Sequence, residues 1–188
     1  MNTKLLAFVA TFVIIVLAPS VSLSSQVPPS LDFSKTIHRL QPALSIKEVN
    51  SLNHALKKVM VSGTCKVAPS VLLSIAFHES SLHKTSVGLL NPHTKDYGLM
   101  QINEKTVLRM HLDRARLMKD EAYSMQAGCR VLTDNRKIYS HKVPYWLGMY
   151  RAGVRMQIPA IRKNAMEYDN MIRKTAYRIE RQVVLGLK

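Results

Sequence analysis

The sequence predicts a mainly α-helical single domain with at most a small β-hairpin. Its 188 residues leave room for one domain and little else. Apolar side chains recur at helical spacing along most of the chain, and strand-like alternation is weak throughout. Only seven glycines stand among many Leu, Ile, Met and Ala residues, a composition that favours helices. Three regions follow: residues 1–25 as a targeting segment, 26–43 as a linker, and 44–188 as the folded domain.

The targeting segment begins with Lys4 as its positive charge and continues in an apolar run from Leu5 to Ala18, 14 residues long. That is short for a membrane span. The small, turn-prone stretch from Pro19 to Ser25 then resembles a signal-peptidase region, although no clean A-x-A fixes the cut. No cysteine follows the run, which argues against a lipoprotein anchor. A retained N-terminal anchor is the other reading. Pro28, Pro29 and Pro42 with scattered polar residues make 26–43 a linker.

The first helix opens at Ser45-Ile46-Lys47-Glu48, a capping box. Ile46, Val49, Leu52, Leu56 and Val59 share its apolar stripe, and it ends near Gly63. Pro69 suits the first turn of a second helix running to about Leu82. Leu72, Ile75, Ala76 and Glu79 lie on one face of it, so a carboxyl sits on the stripe that faces the interior. Residues 85–95 read as a loop, with a small hairpin conceivable before Gly98. Asn103 caps a short helix through about Leu112. Glu121 to Tyr139 is a longer helix that aligns Met125, Cys129 and Leu132. Pro144 opens a short apolar helix with Trp146, Leu147 and Tyr150, closed by Gly153. After Pro159 a last helix carries Tyr168, Ile172, Ala176, Ile179 and Val183.

Cys65 and Cys129 are the only cysteines. After export they would form one disulfide, whose long loop is worth about 4 kcal/mol in the chain-entropy model; without export they are two buried thiols. They do not make a four-ligand zinc site, and no His spacing completes one, so no metal and no cofactor are expected. The net charge is +15, and about +14 once Lys4 is removed with residues 1–25. Residues 151–188 hold nine Lys or Arg against three acids, a net +6. This balance favours anionic partners, or simply solubilises the surface. The export segment and the lack of a helix-turn-helix or aromatic-basic RNA motif argue against nucleic acid.

The chemistry lies in two segments, Phe77-His78-Glu79-Ser80-Ser81 and Asp96-Tyr97-Gly98-Leu99-Met100-Gln101-Ile102-Asn103. Protonating a glycosidic oxygen needs an acid that keeps its proton near neutrality. An ordinary glutamate, with a pKa of about 4.3, does not. An apolar wall penalises the charged form and raises that value. Glu79 has such a wall in Leu72, Ile75 and Ala76. The competing reading is a helix-end glutamate paired with a surface lysine.

Three blocks in order resemble the transglycosylase-SLT superfamily of lysozyme-like enzymes. Glu79-Ser80 resembles its catalytic Glu-Ser, Gly98-Leu99-Met100-Gln101-Ile102 its Gly-Leu-Met-Gln block, and Tyr150-Arg151-Ala152-Gly153 its Tyr-Asn-Ala-Gly block. Gln126-Ala127-Gly128 stands where the family has Asn-Ile-x-x-Gly. The form resembles most the short exported members that accompany secretion, conjugation or pilus machines. The resemblance implies a lysozyme-like catalytic domain over 44–188, in the periplasm or secreted, acting on the peptidoglycan glycan strand. It implies membrane contact only through the signal peptide. Glu79 would be the catalytic acid and then base, leaving 1,6-anhydro-muramyl ends. Ser80, Gly98, Met100, Gln101 and Tyr150 would form the substrate-binding surroundings, with Ser80 fixing the acid's helix. Asp96 is a possible second carboxylate: animal-type lysozymes also place an Asp before Tyr-Gly, 17 residues after their Glu. A hydrolase using Glu79 and Asp96 is therefore the alternative, and a non-catalytic wall-binding assembly protein a third. Arg151 departs from the family's Asn, either facing solvent or holding a stem-peptide carboxylate. His78 reads as a packed or exposed helix residue rather than a base, and Glu104 as support for a helix start; His83 and His93 have no assigned role.

Overall fold

A computed structural model describes residues 31–91, 94–139, 144–152 and 158–184. The signal-peptide reading of 1–25, His93 and the Gly153 helix stop lie outside these residues. Among the described residues, no helix is long and apolar enough to cross a membrane.

Helix α1 spans Ser34–Leu40, inside the stretch expected to be a linker. Phe33 and Ile37 are buried and Leu40 packs beside them. Asp32 accepts the Ser34 amide proton and is tied to Asn53 of the next helix. From residue 33 on, this segment is therefore part of the domain. Pro42, just past its end, does not exclude a two-turn helix before it.

Helix α2, Ile46–Val61, begins with the expected capping box. The Ser45 amide donates to Glu48 Oε2 at 2.8 Å, and the Glu48 amide donates to Ser45 Oγ at 3.3 Å. Val49, Leu52, Leu56 and Val59 are buried with Ala55. Ile46 departs from the predicted stripe and is 78% exposed, whereas Leu44 just before the helix is buried. Helix α3, Pro69–Ser80, buries Leu72, Leu73, Ser74, Ile75 and Ala76.

A three-stranded antiparallel sheet follows: β1 Val87–Asn91, β2 Thr94–Tyr97 and β3 Ile102–Asn103. It extends the expected hairpin by one short strand. Gly88 pairs with Asp96, and Asp96 with Asn103, so these three residues form one row across the sheet. Asn103 then caps α4, Glu104–Arg109, by accepting the Lys105 amide proton. Helix α5, Arg114–Lys119, is capped by Asp113. Helix α6 covers Glu121–Tyr139, the bounds the sequence indicated. A 3-10 turn, Trp146–Gly148, runs into α7, Met149–Ala152. Helix α8, Pro159–Val184, buries Tyr168, Ile172, Ala176 and Ile179, with Val183 half-buried.

Helix α2 packs on α6, and α3 on α8. The second contact is stitched by Ser70 to Glu180 (2.6 Å), Ser74 to the Ile172 carbonyl (3.0 Å) and His78 to Thr175 (2.9 Å). These contacts carry the C-terminal end of α3 towards Tyr168. Cys65 and Cys129 form a disulfide that ties the lead-in to α3 to the middle of α6.

Candidate active site

The acid is placed by the way α3 ends. Ser81 and Leu82 both adopt left-handed backbone (φ 52° and 67°), an uncommon pair for residues with side chains. They turn the chain sharply, so Glu79 and Ser80 stand at the helix edge. The Ser80 hydroxyl lies 2.9 Å from the Ala76 carbonyl and 2.8 Å from the Leu99 carbonyl, and shares its proton between them. One buried serine thus fastens the acid's helix to the Gly98–Gln101 turn.

That turn is fixed from three other sides. Gly98 has φ 74°, and a Cβ there would stand 2.0 Å from the Leu117 carbonyl oxygen. The Met100 amide donates to the buried Ser124 hydroxyl at 3.2 Å, and the Tyr150 hydroxyl donates to the Met100 carbonyl at 2.6 Å. The Gln101 side-chain amide donates to Ser86 (2.9 Å) and Gly98 (2.8 Å) carbonyls, closing the loop on itself.

Glu79 and Asp96 are the carboxyls of this region. Glu79 Oε1 is buried and has no hydrogen-bond partner among the described residues. Loss of hydration pushes its carboxyl above the ordinary glutamate range; the Tyr168 hydroxyl and the Arg151 guanidinium oppose the rise, and Asp96 adds to it. The Tyr168 hydroxyl is itself buried and unpartnered, close to Glu79 without closing a hydrogen bond. Asp96 is 4% exposed, and its Oδ1 accepts a proton from Asn103 Nδ2 at 2.8 Å. Burial raises its carboxyl too, against Asn103 and Arg151. Burial together with Glu79 and Asp96 holds the Tyr150 phenol well above its usual range, so it stays a donor.

The structure therefore brings together Glu79, Ser80, Asp96, the Gly98–Gln101 turn and Tyr150. Met100 is fully buried and packs on Gly128, so its side chain forms the floor under the turn and offers no surface of its own. His78 packs edge-on to Phe77 and reaches Thr175. Glu104 starts α4 and pairs with Arg114 at 2.7 Å. Three contributors were not singled out from sequence. Tyr168 read only as part of a core stripe, and Ser124 lies on a helix read only through its apolar stripe. Asp169 is buried on α8, accepts the Leu147 amide proton at 3.0 Å and pairs with Arg173. It thereby fixes the 3-10 turn that leads to Tyr150. Its polar side chain beside the apolar stripe was the available signal. Among the described residues, no group of three or more His, Cys, Asp or Glu side chains is placed to hold a metal ion.

The Transglycosylase SLT domain family matches residues 60–172, more than half the chain. The chain belongs to the transglycosylase SLT family. This family acts on peptidoglycan, and its mainly helical, lysozyme-like fold is the one seen here. Invasion protein IagB of Salmonella typhimurium is 31% identical over 102 residues, covering 52% of this chain and 62% of IagB. Protein IpgF of Shigella flexneri is 29% identical over 118 residues, covering 60% of this chain and 74% of IpgF. The chain thus spans less than two thirds of the IagB length. No solved structure matches. In SLT terms, the family match takes in Glu79, Asp96, the Gly98–Gln101 turn and Tyr150, and also Tyr168 and Asp169.

Proposed function

We propose that this chain is a peptidoglycan lytic transglycosylase that cleaves the β-1,4 bond between N-acetylmuramic acid and N-acetylglucosamine. Protonated Glu79 gives its proton to the bridging oxygen, and the bond from that oxygen to the muramyl C1 breaks. The carboxylate left behind takes the proton of the muramyl C6 hydroxyl, whose oxygen bonds to C1. A 1,6-anhydro end forms, no water is consumed, and Glu79 returns to its protonated form.

The observation that carries this reading is the buried, unpartnered Glu79 oxygen beside the locked turn. A carboxyl oxygen that is buried without an internal partner is prepared for a substrate atom. Tyr150, held on Met100, and Gln101, held in the loop, act as rigid surroundings for the sugar. Asp96 is not free where it stands: Asn103 holds one of its oxygens. That engagement supports ring closure by the C6 hydroxyl over a retaining hydrolytic route, in which Asp96 would have to attack as the nucleophile.

The export segment and the kinship with a Salmonella invasion protein support a setting outside the cytoplasm. There the enzyme opens the wall locally while a secretion, conjugation or pilus machine is assembled. Mass spectrometry of digested sacculi tests the chemistry. Anhydro-muramyl ends are expected; reducing muramyl ends would assign the chain to the hydrolases, and no cleavage to the non-catalytic wall binders.

A further inference from the structure

Arg151 follows Tyr150 in α7, and its guanidinium acts through space on both Glu79 and Asp96. Its guanidinium carbon lies 5.9 Å from the centre of the Tyr168 ring, within the range where a cation and an aromatic face attract. The hydroxyl of that same ring is buried next to Glu79. Tyr168 thus bridges the acid at its buried end and an exposed cation at its face. Arg114, Arg116 and Arg173 each hold a carboxylate, whereas Arg151 pairs with none among the described residues. Both cleft carboxyls feel this guanidinium through space, but neither closes an ion pair with it, and Asp96 is hydrogen-bonded by Asn103.

We propose that Arg151 is a specificity-determining residue that takes a carboxylate on the peptide-bearing arm of the wall glycan, selecting this polymer over uncharged chains of the same backbone. The assignment rests on the lytic transglycosylase reading. A guanidinium is a planar fork that matches a carboxylate through two parallel hydrogen bonds. The Tyr168 ring restricts the side chain before substrate arrives, so less freedom is lost on binding. A neutral polymer offers nothing to that fork, and leaves it hydrated.

Soluble glycan strands bearing peptide arms, native or with their carboxylates converted to amides by ammonia and a carbodiimide, provide the test. Steady-state kinetics are measured on both for wild type, Arg151→Asn and Arg151→Lys. Wild type is expected to show a KM about 10-fold lower on native strands, the scale of one charge-assisted hydrogen-bonded pair at a surface. Arg151→Asn raises the KM on native strands about 10-fold relative to that on amidated strands, while any change in kcat through Glu79, whose carboxyl the guanidinium also feels, falls on both strands alike. Arg151→Lys, keeping charge without the fork, recovers part of the difference. An equal loss on both substrates, or no loss on either, would overturn the assignment. Activity on amidated strands is also the internal check that each variant is folded. Wild type cleaving neither substrate would instead overturn the transglycosylase reading, and this assignment with it.

Discussion

Replacing Gly98 by alanine asks how firmly the turn under the acid is held. Two separable costs arise. The left-handed backbone at φ 74° is unfavourable for any residue with a Cβ, by about 1–2 kcal/mol. The new Cβ also meets backbone, 2.0 Å from the Leu117 oxygen and 2.7 Å from its carbon, where no side chain can swing aside. Forcing extra volume into a packed site costs about 1–3 kcal/mol more. The sum, about 2–5 kcal/mol, is a large part of the roughly 5–15 kcal/mol of a whole domain. For a chain of this size it lowers Tm by about 5–20 °C. Gly63 provides the control: its φ is 64°, and nothing lies within 4 Å of its added Cβ. Gly63→Ala therefore carries the conformational cost alone. Thermal and urea unfolding of both variants should differ by the collision term, about 1–3 kcal/mol. Because the turn's carbonyls hold Ser80 and Tyr150, Gly98→Ala should also lose about 100-fold in activity, measured well below its Tm. Equal destabilisation by the two variants, with Gly98→Ala fully active, would refute a rigid turn.

Glu79→Gln should lower sacculus cleavage by at least about 100-fold, the usual contribution of a positioned acid, while the fold persists. Its folded-state carboxyl is raised above the ordinary 4.5, so the stability it contributes is full below that value and is lost as pH rises through the raised one. Urea unfolding should therefore show wild type losing ground to Glu79→Gln as pH rises above 4.5; a shift in the other direction would be wrong for a buried acid. Asp169→Ala removes the acceptor for Leu147 and the partner of Arg173, and should cost about 1–3 kcal/mol by urea unfolding. Activity should fall further than stability alone explains, because the turn leading to Tyr150 loosens.

Much of this was legible in the sequence because it is local. The capping box at Ser45, the cap at Asn103, the bounds of α6 and the stripe of α8 each follow from spacing within one helix. The placement of Glu79 on an apolar face was readable for the same reason. What escaped depends on packing between elements. Helix α1 hides between prolines and earns its order from Phe33 and Ile37 meeting α2. The Asp113-capped α5 is six residues long, too short for a period to show. Ser124, Tyr168 and Asp169 become site residues only because α6 and α8 lie against the turn and the acid. Gln101 illustrates the limit differently: the motif flagged it as a sugar contact, whereas its amide protons are spent on Ser86 and Gly98, leaving its oxygen beside Gly88.

The state of the Glu79 carboxyl is the point on which the account turns, and carbon NMR of protein labelled at its glutamate carboxyls reads it directly. The Glu79 signal is identified by its absence in Glu79→Gln. Glu48, exposed and held below the usual range by its hydrogen bonds to Ser45, is an internal reference at the other extreme. The account predicts that Glu79 ionises above 4.5 and after Glu48. A Glu79 signal that titrates alongside Glu48 would contradict it.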